Sequence, residues 1–226
     1  KLEAGISLFS PRRSYNSSDS LANRNGGAFT IGPNDIDSDR EYFLIPYVGK
    51  VWTYNEGAAL ALNFYGRGGM NTYWSGGTAT FDPDGPGPAP VMTLPGTYGD
   101  GTVEMNFSQA FLDTTAAFDL GAWKVGFTGV LAIQAFKTEG IGTFAGFTET
   151  FAASGGTTLP TKLSANGTDF SYGYGMKVGA IWEATDRLNL SFAYHSKTIM
   201  TEFDDYADLF AEQGGFDIPA SAHFGA

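Results

Sequence analysis

Residues 171–195, SYGYGMKVGAIWEATDRLNLSFAYH, decide the fold class because large and small side chains alternate along them. In the second half of the stretch, every second residue is large and apolar: Leu188, Leu190, Phe192 and Tyr194. In the first half, the residues at even positions from Tyr172 to Trp182 alternate with glycines, Lys177 and Glu183. A period of two is typical of a β-strand with two different faces. Residues 184–186 between the halves predict a tight turn, so the stretch is an antiparallel hairpin.

Alternation of the same kind predicts about eight antiparallel strands along the chain. Trp123, Val125 and Phe127 begin one of them, and Leu60, Leu62 and Phe64 mark a shorter one. Weaker patterns predict strands at 2–9, 41–54 and 105–118, and a last strand that begins near Phe216. The 105–118 segment alternates poorly, with Asp113 at an awkward position. The sequence therefore predicts an all-β protein with its strands in sequential order.

Short and long connections between predicted strands alternate along the chain. Tight turns are predicted at 55–57, 119–121 and 184–186, and long loops rich in Gly, Ser, Pro and Asp near 10–40, 67–104, 137–168 and 198–215. Outer-membrane barrels have short periplasmic turns at one rim and long extracellular loops at the other. We therefore expect residues 1–226 to form a single partial domain of a transmembrane antiparallel β-barrel in the bacterial outer membrane.

Composition supports this class and excludes others. The chain has 31 Gly, 19 Phe, 11 Tyr and no Cys, and charged residues make up 16%, against roughly 25% in average proteins. No apolar run approaches the roughly 20 residues of a membrane helix, whereas barrel strands carry their apolar residues at every second position. The net charge of −11 disfavours nucleic acid as a partner.

Catalytic and metal-binding patterns are missing from the sequence. His195 and His223 are the only histidines, and no nucleophile elbow, phosphate loop or paired zinc-ligand motif is found. We predict no enzyme activity, although a lipase using a serine with His195 stays formally open. We expect no cofactor and no metal, since the acidic run 35–41 lacks the glycine and closing glutamate of a calcium loop. A solvated acidic loop is preferred over a cation that bridges to lipopolysaccharide.

Four stretches resemble the outer-membrane transport proteins of the FadL/TodX type. They are EAGISLFSPRRSY at 3–15, ALALNFYGRGGMNT at 59–72, LAIQAFKTEGIGTF at 131–144, and the block 171–220 that begins SYGYGMKVG. The similarity extends over most of the chain and is weakest in the loops. It implies a barrel of 14 strands, an N-terminal hatch, and a kink in the third strand that opens the wall sideways. The hatch and the closing strands are missing from these residues. Because the last predicted strand stops partway across at Ala226, we expect that the parent protein continues beyond Ala226 or that the sequence is a partial one.

The resemblance implies passive uptake of long-chain fatty acids or related hydrophobic compounds, and the sequence does not separate fatty acids from aromatic hydrocarbons. The expected partners are such a ligand, outer-membrane lipid and lipopolysaccharide, and we expect a monomer. The alternative is a barrel that transports nothing and serves as an adhesin or phage receptor. A soluble β-sandwich is a third interpretation.

Cations on the lumen face are candidates for holding a carboxylate. Alternation places on that face Lys50, Arg67, Lys124, Lys177, His195 and Lys197. Lys177 near mid-height and Arg67 nearer the extracellular rim are the favoured head-group ligands, and His195 and Lys197 are placed towards that rim. The alternative is that these cations balance lumen carboxylates such as Glu3 and Glu183.

The remaining candidates come from strand ends and loops. The resemblance implies a basic ligand contact near the extracellular end of 131–136. This chain departs from that pattern and has Gln134, Ala135, Phe136 and Lys137 there, of which Gln134 and Phe136 are kept as candidates. Apolar residues on two long loops predict a groove for a hydrophobic ligand: Met70, Trp74, Phe144 and Phe147. Alternatively, they pack as a lid. Gly66, Gly68 and Gly69 predict the kink of a lateral exit, or else only the entry into a loop.

Overall fold

A computed structural model describes residues 1–18, 28–67 and 69–226 of the chain. The described residues form an all-β structure with antiparallel pairing. The strands are β1 (Leu2–Phe9), β2 (Ser14–Ser17), β3 (Ala28–Ile31), β4 (Asn34–Asp37), β5 (Phe43–Asn55), β6 (Ala58–Arg67), β7 (Asn71–Trp74), β8 (Thr78–Asp82), β9 (Met92–Pro95), β10 (Val103–Asp119), β11 (Trp123–Glu139), β12 (Asp169–Thr185), β13 (Leu188–His195), β14 (Ile199–Met200) and β15 (Ser221–Gly225). The helical segments are α1 (Glu149–Ala153) and 3-10 turns at Gly142–Phe147, Asp204–Tyr206 and Ala211–Gln213.

The main sheet follows the sequence order, as the alternation predicts. Its path is β1-β5-β6-β10-β11-β12-β13-β15, while β7 pairs with β10 and β14 pairs with β12. The prediction of an antiparallel all-β fold is confirmed, including the poorly alternating 105–118 segment, which lies within β10. The last strand was placed wrongly, since it begins at Ser221 rather than near Phe216. Ile218 instead exchanges backbone hydrogen bonds with Thr198, which holds this segment in the preceding loop.

The three predicted tight turns join β5 to β6, β10 to β11 and β12 to β13. The Asn55 side chain accepts a hydrogen bond from the Gly57 N–H at 2.9 Å, and Asp119 accepts from Gly121 at 3.0 Å. Such side-chain acceptors satisfy turn donors that no strand partner reaches. Gly121 has φ +82°, which a side chain would disfavour.

The two faces of the sheet differ in burial, as β11 illustrates. Leu131 is 59% exposed and Phe127 is 56% exposed, whereas Val130 and Ala132 between and beside them are 4% and 6% exposed. Exposed apolar residues continue across the neighbouring strands on the outer face: Leu62, Phe64, Tyr172, Tyr174, Met176, Phe192 and Phe224. At the end with the tight turns, Trp123 and Trp182 stack with ring centroids 5.4 Å apart. Soluble monomers rarely expose an apolar surface this continuous. No helix among the described residues is long and apolar enough to cross a membrane.

The inner face carries rows of side chains whose positions follow from strand register. One row is Arg67, Gln109, Gln134 and Ser171, on β6, β10, β11 and β12. Towards the long loops the next row holds Phe107 and Phe136, which pack with Phe203 and Tyr206 from the loop after β14. Towards the tight turns a row consists of small residues: Ala59, Ala117, Gly126, Gly179 and Ala193. We call the part of the lumen towards the long loops the extracellular half and the part towards the tight turns the periplasmic half, after the rims expected from loop length.

The long loops carry their own small sheets. In the first two loops β2 pairs with β4, and β3, β8 and β9 form a three-stranded sheet. Tyr15 and Thr97 join these units through a hydroxyl hydrogen bond of 2.7 Å. The loops therefore form a folded cap at the extracellular rim.

Candidate functional site

A cavity in the extracellular half of the lumen contains four of the predicted ligand-binding residues. This lumen cavity has a volume of about 560 Å³, and its lining includes Arg67, Met70, Lys177 and His195. Phe107, Phe111, Val130 and Ile218 supply apolar wall. The cavity combines apolar lining with a few cations, as expected of a site for an amphiphilic ligand.

Lys177 is neutralised by a carboxylate. Its Nζ donates to Asp113 Oδ2 at 2.6 Å and to the Tyr65 hydroxyl at 2.9 Å, and that hydroxyl also donates to Asp113 at 3.2 Å. Asp113 is 7% exposed. Because a buried carboxylate needs a charged or hydrogen-bonding partner, the first task of Lys177 is to hold Asp113.

His195 lies level with Lys177, because the two residues are register partners on β13 and β12. Its placement towards the extracellular rim was therefore wrong. The His195 ring is 5.3 Å from the ring of His223 on β15. Lys197 follows β13 and forms an ion pair of 2.5 Å with Asp217 in the last long loop.

The other predicted lumen cations are paired or lie elsewhere. Lys124 forms an ion pair with Glu183. Lys50 was placed on the wrong face: it is the register partner of Leu62 and Leu2 on the outer face, with its Nζ 4.8 Å from the Trp52 ring centroid. Both faces of β5 carry apolar residues, so alternation alone gave the wrong phase there. A lysine near the rim of the membrane can extend its charge to water.

Arg67 is different, because no described carboxylate pairs with it. Its guanidinium carbon lies 5.9 Å from the Phe111 ring centroid, and the side chain is exposed to the lumen. Since Phe111 supports the guanidinium and leaves its fork of donors free, Arg67 retains the geometry that matches a carboxylate. Of the two favoured head-group ligands, Arg67 and Lys177, Arg67 is the one with unused hydrogen-bonding capacity among the described residues.

A second cavity of about 430 Å³ lies between the long loops. Trp74, Phe144 and Phe147 line this loop groove together with Tyr98, Ile141 and Leu209. Trp74 continues the wall through β7, while Phe144 and Phe147 belong to the 3-10 turn at Gly142–Phe147. Phe147 is largely exposed. Met70 was expected in this groove but lines the lumen cavity, because it directly precedes β7 beside Phe107.

Gln134 and Phe136 are core residues in this structure. Phe136 is 2% exposed and packs edge-on against Tyr206 with ring centroids 4.8 Å apart. Gln134 is 0% exposed, and neither of its side-chain polar atoms has a hydrogen-bond partner among the described residues. Neither residue lines the two cavities described above. Both lie in the wall between the loop groove and the lumen cavity.

The predicted kink coincides with an irregularity between β6 and β7. Both strands pair with β10, but the registers differ: Arg67 lies opposite Gln109, and Asn71, four residues later, lies opposite Asn106, only three residues earlier on β10. The Phe107 N–H donates to the Met70 carbonyl at 2.7 Å. A Cβ on Gly69 would lie 1.7 Å from the Phe107 carbonyl oxygen, so only glycine fits. Gly68 lies outside the described residues.

A third cavity, of about 750 Å³, lies beside this irregularity and reaches through the wall. This lateral cavity is lined on the lumen side by Arg67 and Gln109 and on the outer side by Leu44, Phe64 and Gly66. The pairing of β5 with β6 ends at Tyr47 and Tyr65, so the extracellular ends of the two strands separate. Arg67 lines both the lateral and the lumen cavity.

Pro46 explains why the strands separate at this point, and the sequence analysis missed it. The N–H of Val51 points to β1, and strand alternation turns the nitrogen of residue 46 towards β6. Pro46 has no N–H, so it cannot donate to the residue opposite it, Gly66. A proline inside a predicted strand is a recognisable signal of lost pairing. Arg13, which lines the same cavity, was also missed.

Metal-ligand geometry is missing from the described part of the chain, where no three His, Asp or Glu side chains are grouped to hold an ion. In the acidic run, Asp39 accepts a hydrogen bond of 2.6 Å from Ser75.

No protein-family model and no curated protein matches this chain. Among solved structures, the chain is similar to the crystal structure of a Pseudomonas aeruginosa FadL homologue, with 15% sequence identity and a TM-score of 0.48. The match covers 98% of this chain and 54% of that chain, so this chain spans about half the length of the protein it matches.

Proposed function

We propose that this chain forms part of an outer-membrane channel for passive uptake of long-chain fatty acids or related hydrophobic compounds. The observation that supports this most directly is the position of Arg67. It is a cation without a described carboxylate partner, and it lines both the lumen cavity and the lateral cavity. An amphiphile needs such an arrangement, because its head group requires a cation while its tail requires apolar wall.

Outer-membrane location is supported by the outer face of the sheet. Its Leu, Phe and Tyr side chains remain exposed, and burying apolar surface is worth roughly 25 cal/mol per Å². A lipid layer supplies that burial. Since the tight turns end the strands at one rim and the long loops at the other, the strands are oriented as in outer-membrane barrels.

Capture is assigned to the loop groove. Trp74, Phe144 and Phe147 offer an apolar surface to a molecule that arrives from outside. The aromatic cluster around Phe136 lies between this groove and the lumen cavity. Entry into the lumen then requires side-chain movement in that cluster, which would keep the channel closed to water and small solutes.

Binding in the lumen cavity is assigned to Arg67 for the carboxylate and to Phe111, Val130 and Ile218 for the tail. Lys177 contributes less, because a ligand carboxylate would have to compete with Asp113 at 2.6 Å. Exit is assigned to the lateral cavity, where Gly66, Gly69 and the unpaired end of β5 leave the wall open. Release into the membrane avoids passing the apolar tail through water.

Replacement of Arg67 by Gln tests this proposal in the gene that encodes this chain. A charge-assisted hydrogen bond is worth about 1.5–3 kcal/mol, or roughly 10- to 100-fold in affinity. We expect oleate uptake at limiting concentration to fall accordingly, while Arg187→Gln, in the exposed turn after β12, leaves it unchanged. Growth on oleate as sole carbon source with and without the gene separates a transporter from an adhesin or phage receptor. Equal growth in both strains would contradict the proposal.

A further inference from the structure

Arg13 lines the lateral cavity at its extracellular end, where the chain leaves β1 and enters the first long loop. Its backbone carbonyl accepts a hydrogen bond of 2.8 Å from the Ser38 N–H. Its Nη2 donates to the Arg40 carbonyl at 3.2 Å, and its guanidinium carbon lies 5.6 Å from the Phe43 ring centroid. One contact therefore holds the Arg13 backbone, and the other two fix the position of the guanidinium.

The hydrogen-bonding capacity of Arg13 is largely unused. Its Nε is buried and has no hydrogen-bond partner, and no carboxylate pairs with it among the described residues. The chain has 24 acidic residues and 13 Lys and Arg, so carboxylates are plentiful. The neighbouring Arg40 shows the usual outcome, an ion pair of 2.5 Å with the buried Glu104. A fixed and partly buried guanidinium without a counter-charge is a site prepared for an anion.

Arg13 and Arg67 line the same cavity, and neither has a carboxylate partner among the described residues. Arg67 borders the lumen cavity, whereas Arg13 stands where the wall is open beside Tyr42 and Leu44, which are exposed on the outer face. Aromatic and cationic side chains at this height are typical of the membrane interface. An amphiphile that leaves sideways places its tail among acyl chains and its head group at that interface.

We propose that Arg13 is a second anion site, which receives the carboxylate of a single-chain amphiphile from Arg67 as the tail enters the outer leaflet. This inference rests on the proposed function and adds its substrate class. The ligand carries an anionic head group, because a neutral hydrocarbon would form no ion pair or hydrogen bond with the two guanidinium groups. Two successive sites also lower the barrier to release, since the carboxylate does not have to leave Arg67 for an uncharged surface.

The test compares Arg13→Gln with Arg13→Lys and with Arg12→Gln in the gene that encodes this chain. Arg12 is the exposed neighbour and does not line the cavity, so it is the matched control. Uptake of oleate and of oleyl alcohol, which has the same chain but no charge, is measured in each strain at equal amounts of protein in the outer membrane. We expect Arg13→Gln to slow oleate uptake about three- to tenfold, the range of one partly exposed charged hydrogen bond. Oleyl alcohol uptake should be unchanged, Arg13→Lys should recover most of the rate, and Arg12→Gln should match the unsubstituted protein.

Equal slowing of both compounds by Arg13→Gln would overturn the inference, because it would mean that Arg13 supports the wall or binds a lipid phosphate. Unchanged oleate uptake would overturn it as well and would leave the proposed function intact. Absence of oleate uptake by the unsubstituted protein would instead remove the proposed function itself. If Arg13→Gln fails to reach the membrane, Arg13→Met replaces it in the test. Oleate uptake by Arg13→Met at the rate of the unsubstituted protein, or equal slowing of oleate and oleyl alcohol, would then overturn the inference.

Discussion

The two halves of the lumen are built from different residues. The extracellular half is packed with aromatic side chains from the strands and from the last loop, including Phe107, Phe136, Phe203 and Tyr206. The periplasmic half has a row of alanine and glycine residues beside a cavity of about 610 Å³, which Lys124, His223 and Phe224 also line. A carboxylate needs a cation that no protein carboxylate occupies, and in the extracellular half Arg67 is such a cation among the described residues. Under the proposed function, selection of the ligand takes place in the extracellular half.

The boundary between the halves is a charged one. Hydrogen bonds join Lys177 to Asp113 and Tyr65 between the aromatic row of Phe107 and Phe136 and the row of small residues. Two cations near this level thus have different roles: Lys177 is committed to a buried carboxylate, and Arg67 is free among the described residues. Each prediction below changes one side of this comparison.

The largest effect is expected for Lys177→Met, which leaves Asp113 buried without its cation. Breaking a buried ion pair in this way costs about 3–5 kcal/mol. We expect a lower urea midpoint for unfolding from detergent micelles, and recovery in the double variant Lys177→Met/Asp113→Asn. A single variant as stable as the unsubstituted protein would show that Asp113 does not depend on Lys177.

A smaller loss is expected for Gly69→Ala, because the new Cβ would lie 1.7 Å from the Phe107 carbonyl oxygen. Overpacking costs about 1–3 kcal/mol of folding stability, and here either the backbone of β10 or the irregular segment between β6 and β7 must move. The matched control is Gly129→Ala on β11, where an added Cβ meets no atom within 4 Å. Oleate uptake and urea stability should both fall in the first variant. Equal oleate uptake and equal urea stability of the two variants would show that the segment between β6 and β7 does not require glycine at position 69.

The smallest effect concerns the last loop, which closes the extracellular half. Lys197 donates a hydrogen bond to Asp217, and together with the Met200 N–H it lowers the pKa of Asp217 below its usual 3.8. A lowered pKa stabilises the fold above pH 3.8, and this contribution is lost as the pH falls through the lowered value. Exposed pairs contribute about 0–1 kcal/mol. In the unsubstituted protein, we expect protease cleavage of the last loop to increase only below pH 3.8. In Asp217→Asn, the loop should be cleaved at neutral pH as fast as the loop of the unsubstituted protein is cleaved in acid. Equal cleavage rates of the two proteins at neutral pH would contradict this.

The strands could be predicted because period-two alternation is a local property, and the hairpin at 171–195 shows both faces in one stretch. The 105–118 segment alternates poorly for a physical reason. Near the extracellular end of β10, Phe107 faces a packed interior while Asn106 and Ser108 face outward. The apolar phase of the strand is therefore reversed where it rises above the expected lipid layer.

The site could be predicted only in part. Side-chain type and alternation identified Arg67 and Lys177 as lumen cations. Asp113, the partner of Lys177, lies two strands away on β10, and only the strand register shows that the two side chains are close. Gln134 and Phe136 were interpreted as ligand contacts from the resemblance, although at that height the interior of this chain is a packed core. Pro46 was readable from the sequence as a strand residue without a donor. Arg13 was not, since its position depends on how the first loop folds over β5.

The central claim is that the ligand leaves through the wall between β5 and β6, and a reversible crosslink tests it most directly. The chain contains no cysteine. The double variant Ile45→Cys/Gly66→Cys keeps Pro46 and places two thiols across the opening, where an added Cβ at 66 lies 3.4 Å from Ile45 Cγ2. The control is Ala117→Cys/Gly126→Cys, at register partners of the periplasmic half where the wall is already paired. Oxidation should reduce oleate uptake of the first variant to the level of cells without the gene, reduction should restore it, and the control should transport equally in both states. Unchanged uptake by the first variant, with its disulfide confirmed by mass spectrometry, would contradict the lateral exit.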